Sequence, residues 1–487
     1  MTQTAHADGR YIGPRRTLEI LAADEVARIH EASLDVLADV GVMFHSQRAL
    51  DVLEAHGAAV DRETTVARIP ASAVYEALAT LPRTFVLAGR SPEFDLPIDG
   101  EHAYLTSDGC ATFVREADGT VRPSAKQDVY DAARVVDGLP NFSATSALVS
   151  AQDTPEESRV LHEFDACMRA SRKHNIVVSI KDATEARALI RMAEAVAGGS
   201  AELRARPTFS VIICTVSPLH QERFGMELAF ELAEAGIPMM LYPMPILGAT
   251  APVTPAGAAV VNNTEILAAI AAVQLARPGA KIVHAGGPTA LFMRTGAYFA
   301  NVPEALLLRG VQAQMAAFYG MPAGLGWGGT KAKLPDAQAA YENTLGLLLE
   351  FAAGADFLFG AGLLDSVSQM SLEELVIADE TFSMVTRLLK GVQVDRDTLA
   401  VDLIKKHGFK GDYLSEPQTR RHVRELWRAR LGEAGTYESW QAAGAPSLQA
   451  KARAVADAIL REPAPEFPGD VGRAFDEIIA AAESGRL

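Results

Sequence analysis

The feature of this sequence that most constrains its fold is a regular alternation of short apolar runs with helical stretches, from about residue 103 to residue 389. Each run is rich in β-branched or aliphatic residues, and a stretch with apolar residues at helical spacing follows it. The eight runs predicted to be strands are 103–107, 143–149, 176–180, 209–216, 238–243, 281–286, 323–327 and 357–361. This pattern predicts an α/β fold, a closed (β/α)8 TIM barrel. An open doubly wound sheet is the alternative.

The stretches between the runs are long enough to cross from one parallel strand to the next. The predicted helices are 124–136, 155–170, 183–197, 221–235, 255–276, 303–319, 335–353 and, last, 371–389. We therefore expect a barrel core at 101–390, an N-terminal layer of helices and small strands at 1–100, and a helical C-terminal extension at 391–487. Within the extension, helical patterns occur at 397–407, 416–431, 447–462 and 471–483.

The charge balance argues against a nucleic-acid partner. Lys and Arg number 45 and Asp and Glu number 61, a net charge of −16 that repels a phosphate backbone. The most basic stretch has five arginines within 418–430, and we expect it to form one solvated helix face.

Cysteine usage and apolar content favour a cytoplasmic protein. Cys110, Cys167 and Cys214 are far apart in the sequence, which fits neither a disulfide framework nor a zinc knuckle. The N-terminus has no apolar core of a signal peptide, and we count no run of about 18 apolar residues, the length needed to span a bilayer. We expect no membrane association.

Aromatic residues occur near the ends of several predicted strands, where a β/α barrel carries its active site. An aromatic face attracts a quaternary ammonium ion by about 0.5 to 2 kcal/mol per good contact. Barrel packing is the alternative role for each ring, although Trp327 stands among glycines and is expected to face a cavity. The four rings are Trp327, Tyr242, Phe359 and Tyr104.

Other catalytic motifs are missing from the sequence. It has no nucleophile-elbow serine, no phosphate-binding loop before a Lys-Ser or Lys-Thr pair, and no HExxH. The glycine-rich stretch 324–329 (GLGWGG) does not fit the dinucleotide fingerprint. His284 and Cys214 both follow strands, but two ligands without a third predict no metal site, and a hydrogen-bonded His284 is the preferred interpretation.

The stretch 324–342 (GLGWGGTKAKLPDAQAAYE) resembles the signature of the trimethylamine methyltransferase family, in which a Lys, then Asp-x-Gln-Ala and Tyr-Glu, follow a late barrel strand. Further matches are the sequences at 354–356 (GAD), 362–366 (GLLDS) and 437–445 (YESWQAAGA). The resemblance extends over most of the chain, from about residue 15 to residue 460.

The resemblance implies methyl transfer from a small methylated ammonium compound. The archaeal founders of the family use pyrrolysine to activate trimethylamine, whereas this sequence has only standard residues. Members without pyrrolysine resemble glycine betaine methyltransferases, whose quaternary substrates lose a methyl group and leave as neutral amines. The implied acceptor is a Co(I) corrinoid on a separate protein, so we expect no permanently bound cofactor.

The resemblance, combined with the positions of strand ends, suggests which residues form the site. The onium group is expected among the four aromatic rings, and a substrate carboxylate near His284, Asn301 or Arg294, with Cys214 also in the pocket. Three residues of the signature are expected to organise the loop after the seventh strand: Asp336, Gln338 and Glu342.

Several alternatives remain open at this stage. The acceptor is tetrahydrofolate in one, the substrate is a sulfonium such as dimethylsulfoniopropionate in another, and in a third the chain is a non-catalytic protein that binds quaternary amines. The family and the apolar helices also favour a homo-oligomer.

Overall fold

The structure is a computed structural model, and it describes residues 10–12, 17–326 and 329–486. At its centre eight parallel strands follow one another in sequence order, and the last pairs with the first. These strands are β1 (His102–Ser107), β2 (Phe142–Ser146), β3 (His174–Val177), β4 (Phe209–Cys214), β5 (Met239–Tyr242), β6 (Ile282–Gly286), β7 (Ala323–Gly326) and β8 (Phe357–Ala361). The pairing of β8 with β1 confirms the predicted (β/α)8 barrel and rules out the open sheet.

A helix follows each strand and packs on the outside of the barrel. The helices are α1 (Lys126–Gly138), α2 (Arg159–Ala170), α3 (Ala183–Ala197), α4 (Arg223–Ala235), α5 (Pro255–Ala276), α6 (Pro303–Tyr319), α7 (Ala337–Ala353) and α8 (Leu372–Leu389). A short helix, Ser200–Ala205, comes after α3. All eight predicted crossover helices are confirmed, and their bounds differ from the prediction by at most a few residues.

Helix α5 is the one described helix long and apolar enough to cross a membrane by length and composition, and the count made from the sequence missed it. Of its most apolar window, 78% is buried inside the protein. Its apolar surface is explained by packing, because α5 lies between the barrel and the N-terminal helices.

An N-terminal layer covers α5 and the amino-terminal end of the barrel. Its helices are Ala23–Asp39, Gln47–Ala55 and Ala71–Ala79, and its small strands are Arg10–Ile12, Val42–Phe44, Ala59–Asp61 and Val66–Arg68. It ends in a hairpin, Phe85–Leu87 with Leu96–Ile98, around the 3-10 turn Pro92–Phe94. Leu87, Leu96 and Ile98 of this hairpin pack into the barrel interior.

Small sheets form where the loops leave the carboxyl ends of the strands. Strands Phe113–Arg115 and Val121–Pro123, after β1, join Leu363–Leu364 and Gln369–Met370, after β8. Ile246–Leu247, after β5, joins Thr289–Phe292 and Ala297–Phe299, after β6. His220–Gln221, after β4, joins the N-terminal sheet through Val42–Phe44. These pairings hold the loops around the mouth of the barrel.

The C-terminal extension is helical in shorter pieces than the sequence predicted. They are Arg396–Leu399, Val401–His407, the 3-10 turn Gly408–Lys410, Pro417–His422, Tyr437–Ala442, Leu448–Arg461 and Gly469–Glu483. The predicted helix 416–431 is wrong beyond His422. From there the backbone turns towards α8, where Glu380 accepts hydrogen bonds from the amides of Leu431 (2.7 Å) and Gly432 (2.8 Å). The arginines of 418–430 therefore do not share one helix face.

A buried ion pair joins α6 to α7 behind the barrel wall. The side chains of Arg309 and Glu350 are both fully buried, with 3.2 Å between Nη1 and Oε1. Arg309 also donates to the carbonyls of Pro288 (3.3 Å) and Ala300 (2.8 Å) and to Oδ1 of Asn301 (3.2 Å). One guanidinium thus fixes both ends of the loop that follows β6.

Replacing Arg309 with Ala should lower the free energy of unfolding by about 3–5 kcal/mol, because Glu350 would remain buried without its counter-charge. The double variant Arg309→Met with Glu350→Leu should recover only part of that loss, because it leaves no buried charge but also leaves the carbonyls of Pro288 and Ala300 without their donor. Urea denaturation measures both. A loss below about 1 kcal/mol in the single variant would contradict this role of the pair.

Candidate functional site

A cavity of about 530 Å³ opens among the loops that follow β1, β3, β4, β5 and β6. Most of its wall is apolar, and it also contains three charged side chains, three aromatic rings and two thiols. These lining residues are Asp108, Lys181, Glu222, Phe224, Tyr242, Tyr298, Cys110 and Cys214. The cavity therefore lies where a β/α barrel carries its active site.

Asp108 places a carboxyl group in this cavity directly after β1. Within the described residues, the one hydrogen bond of this carboxyl group comes from the amide of Gly109, which donates to Oδ1 (2.8 Å), and no salt bridge reaches it. Burial raises the pKa of Asp108 to about 6, although the positive charge of Arg309 opposes the shift. The cavity thus contains a carboxylate that lacks a close cationic partner.

Two tyrosines and one thiol of the wall lie close enough to Asp108 to respond to its charge. Burial, and then the Asp108 carboxylate, raise the pKa values of Tyr242 and Tyr298. The same two causes raise the pKa of Cys214, which faces the cavity, to about 11. At neutral pH the tyrosines are phenols and Cys214 is a thiol, so Asp108 is the acidic group of this cluster.

Tyr242 is held rigidly in the wall of the cavity. Its ring packs edge-to-face against Phe359, with centroids 6.1 Å apart and an interplanar angle of 83°. A Cβ atom added at Gly287 or at Gly326 would overlap the hydroxyl of Tyr242. Glycine is needed at both positions for the phenol to fit between the ends of β6 and β7.

The structure brings together two of the side chains predicted from the sequence, Tyr242 and Cys214, in the cavity wall. Phe359 is 1% exposed and packs behind Tyr242 without lining the cavity. Tyr104 lies in the barrel interior, where its hydroxyl donates to the carbonyl of Pro97 (2.6 Å) in the N-terminal hairpin. Trp327 lies outside the described residues.

The residues predicted to bind a substrate carboxylate lie outside the cavity wall. His284 points outward from β6, because its neighbours Val283 and Ala285 face the barrel interior, and it stacks on Tyr319 at 6.3 Å. Burial lowers the pKa of His284 to about 4, and its ring nitrogens have no hydrogen-bond partner among the described residues, contrary to the hydrogen-bonded histidine predicted. Asn301 donates to the carbonyl of Gly329 (3.1 Å), and Arg294 is exposed on the hairpin after β6.

The site residues predicted from the sequence left out several lining residues, among them Asp108, Tyr298 and Phe224. A signal for Asp108 exists, because strand residues alternate between the two faces of a sheet and Tyr104, an inward residue of β1, has the same parity as Asp108. Tyr298 and Phe224 lie beyond strand ends, on a mouth hairpin and on the first turn of α4, where no strand periodicity reaches.

Comparison with known proteins decides the family. The model of the family described as trimethylamine methyltransferase (MTTB) matches residues 2–485. The trimethylamine methyltransferase of Desulfitobacterium hafniense is 32% identical over 462 residues, which cover 94% of this chain and 93% of that protein. The one of Methanosarcina barkeri is 31% identical over 451 residues, 91% of each chain. The chain belongs to the trimethylamine methyltransferase family.

Membership confirms the predicted family and identifies the chain as a methyltransferase. A glycine betaine methyltransferase of Desulfitobacterium hafniense is 29% identical over 424 residues, 86% of this chain and 88% of that protein. Among solved structures, the monomethylamine methyltransferase of Methanosarcina barkeri superposes with a TM-score of 0.53 at 12% identity, over 97% of this chain and 90% of that one. This last likeness concerns the fold.

The signature of the trimethylamine methyltransferase family forms a set of loop contacts in this chain. Asp336 caps α7 by accepting from the amides of Gln338 (2.9 Å) and Ala339 (3.3 Å). Glu342 accepts from the hydroxyl of Thr330 (2.5 Å) and the amide of Lys331 (2.8 Å), and Gln338 donates to Glu342 (2.8 Å). These contacts fit the predicted loop-organising role.

Other helices of this family member hold their mouth loops in the same way. Glu163 of α2 accepts from the amide of Ala151 (3.0 Å), and Glu185 of α3 accepts from the amide of Lys181 (2.7 Å). Glu265 of α5 accepts from the amide of Leu219 (2.9 Å). Buried glutamates therefore fix the loops after β2, β3 and β4, as Glu342 fixes the loop after β7.

Within the described residues, no three His, Cys, Asp or Glu side chains come together as metal ligands. Cys214 and His284, the pair considered from the sequence, lie on opposite sides of the barrel wall, because Cys214 faces the cavity and His284 faces the outer helices.

We expect Asp108→Asn to stabilise the ligand-free protein at neutral pH. The pKa of Asp108 in the folded protein, about 6, exceeds its ordinary value of 3.8. The contribution of Asp108 to the free energy of unfolding therefore falls as pH rises from about 4 to about 6, and the variant lacks this contribution. The difference between the two free energies of unfolding should grow by up to about 3 kcal/mol between pH 4 and pH 7.5. Chemical denaturation at both pH values measures it, and an unchanged difference would contradict the buried carboxylate.

Proposed function

We propose that this chain removes a methyl group from a small quaternary ammonium compound, of the glycine betaine type, and passes it to a Co(I) corrinoid carried by a separate protein. The observation that carries the proposal is the Asp108 carboxylate, unpaired among described residues and close to Tyr242 and Tyr298. A cytoplasmic location, expected from the three separated cysteines, belongs to the same proposal.

The contacts favour a permanent cation as the ligand. At an effective dielectric constant of about 20, unit charges 4 Å apart attract by about 4 kcal/mol. One aromatic contact contributes about 0.5 to 2 kcal/mol. The carboxylate is therefore the stronger source of selectivity, and the rings provide a surface for methyl groups that donate no hydrogen bonds. Tyr242 and Tyr298 belong to this onium site, and Trp327 remains a predicted member.

The charge change during the reaction determines what Asp108 does. As the carbon–nitrogen bond breaks, its electron pair stays on nitrogen, and the substrate leaves as a neutral tertiary amine. The attraction to Asp108 is consequently stronger for the bound substrate than for the transition state. Asp108 then acts in binding and selectivity, whereas the chemical step relies on positioning in a partly dry site.

The acceptor fits the mouth of the cavity and not its interior. A volume of about 530 Å³ accommodates a betaine but not the ring system of a corrinoid in addition. When brought to the mouth, a Co(I) corrinoid would supply the nucleophile that accepts the methyl group. The residues of this chain would orient the onium carbon towards that opening and exclude water behind it.

A substrate carboxylate would lie towards Lys181, which is the positively charged side chain among the described residues of the cavity wall. Lys181 also lies 3.6 Å from Glu185, so its charge is partly compensated. This proposal replaces His284, Asn301 and Arg294 as carboxylate partners, because none of them lines the cavity.

The direct test is an anaerobic assay of the purified full chain with glycine betaine, dimethylsulfoniopropionate or trimethylamine, and with free cob(I)alamin or tetrahydrofolate as acceptor. We expect dimethylglycine from glycine betaine with cob(I)alamin, detected by mass spectrometry. Demethylation with tetrahydrofolate alone would refute the proposal that the acceptor is a corrinoid. A preference for trimethylamine or for the sulfonium would refute the proposal that the substrate is a quaternary ammonium compound. Binding without demethylation by any acceptor would make the chain a binding protein.

Asp108→Asn should separate binding from turnover in that assay. KM should rise about 10- to 100-fold, the equivalent of about 1.4–2.8 kcal/mol, while kcat stays equal or increases, because a ground-state attraction is removed. The KM of the native enzyme should also rise below about pH 6, where Asp108 gains a proton, and that of the variant should not. A fall in kcat at unchanged KM would contradict a binding role.

The aromatic part of the site is tested by thermal shift with glycine betaine, because a bound ligand raises the melting temperature. Tyr242→Leu and Trp327→Ala should each reduce the shift, since the first removes a ring of the cavity wall and the second a ring that the sequence predicts there. Tyr104→Phe is the matched control: it loses a hydroxyl outside the cavity and should keep the full shift. A full shift in the two ring variants would refute the proposal that aromatic rings form the onium site.

A further inference from the structure

A segment of the C-terminal extension carries apolar side chains that nothing in the described chain covers. We call residues 391–426 the arm. Phe409 is completely exposed, and Val392 and Leu414 are 86% and 84% exposed. Further exposed apolar side chains of the arm are Val394, Leu399, Val401, Ile404, Tyr413, Val423 and Leu426. So dense a set of exposed apolar residues is typical of an interaction surface.

The arm is a defined structure rather than a loose chain. Asp397 accepts from Arg421 (2.8 Å) and pairs with Nε2 of His422 (2.9 Å), which ties two of its short helices together. Glu416 pairs with Lys406 (2.8 Å) and His407 (2.5 Å), which ties in a third. The apolar side chains therefore stand on a preformed scaffold, and covering them costs little additional ordering.

The arm is attached to the barrel at both ends. It begins just beyond α8, whose last turns expose Met384 and Leu388 next to it in sequence. After the arm, Nε1 of Trp427 donates to the hydroxyl of Ser383 (3.0 Å) and Arg430 pairs with Asp379 (2.5 Å), both on α8. The exposed end of α8 thus continues the apolar surface of the arm.

We propose that the arm docks against the arm of a second copy of this chain. The whole chain has a net charge of −16, so two copies repel each other over most of their surface. The arm is different, because its 36 residues contain seven Lys or Arg and six Asp or Glu. A nearly neutral surface with both signs of charge complements itself, as a two-fold contact requires, and it is where two acidic copies approach at least electrostatic cost.

The size of the arm fits a contact with the arm of a second copy. A stable interface uses about 20–30 residues from each partner and has an apolar centre with a polar rim. The exposed apolar residues of the arm would form the centre, and its ion pairs around Asp397 and Glu416 would lie towards the rim. The inference concerns assembly alone and stands independently of the substrate and the acceptor.

Sedimentation equilibrium of the full chain tests the proposal, with the variant Phe409→Asp/Leu414→Asp and the matched control Leu345→Asp, an exposed apolar position on α7. We expect the wild type and the control at micromolar concentration to have at least twice the mass of the double variant. Far-UV circular dichroism spectra should agree, because the replaced side chains are exposed and charging them disturbs no packing within one chain. The melting temperature of the double variant should be lower, because assembly stabilises the folded state.

Three outcomes would overturn the proposal. A monomeric wild type would mean that the arm does not bind a second copy and serves a different partner. A double variant that keeps the wild-type mass would mean that the contact between copies lies outside the arm. Dissociation of the wild type in 0.5 M salt would assign the contact to ion pairs, because an apolar contact between acidic copies strengthens when salt screens their repulsion.

Discussion

The constraint on which the rest of this site depends is a carboxylate, Asp108, that lies in a mostly apolar cavity and forms no salt bridge with the described residues. Burial makes the charged form of Asp108 costly, so its pKa rises to about 6 and the empty site is destabilised near neutral pH. A permanent cation relieves that cost without transferring a proton. In the function that we propose, the site is therefore preorganised for an onium group at the expense of the stability of the ligand-free enzyme.

The barrel supports this arrangement from below and from the sides. The N-terminal hairpin and the rings of Tyr104, Phe357 and Phe359 fill the interior, and Tyr242 stands on Phe359 at the base of the cavity wall. Around the mouth, glutamates such as Glu265 and Glu342 hold the loops through backbone amides. Packing and loop contacts thus hold the cavity wall in place, as the proposed onium substrate requires, because it offers few hydrogen bonds of its own.

The sequence predicted the barrel because each strand and helix has a local signal, a short apolar run or helical periodicity. It predicted the site only in part, because a strand end does not reveal how deep a side chain lies or which way it faces. Tyr104 and Phe359 lie deeper than predicted, in the barrel interior. His284 faces the outer helices and not the barrel interior. Tyr298 and Phe224 reach the cavity from a hairpin and a helix, whose positions depend on tertiary contacts.

The most direct test of the central claim is calorimetry with glycine betaine and its isostere 3,3-dimethylbutanoate, which has the same shape and the same carboxylate but lacks the positive charge, because carbon replaces nitrogen. Our account predicts that the native protein binds the cationic compound at least tenfold more tightly, and that Asp108→Asn loses most of this preference, because about 1.4 kcal/mol or more of it comes from the carboxylate. Equal affinity of the native protein for the two compounds would contradict the claim.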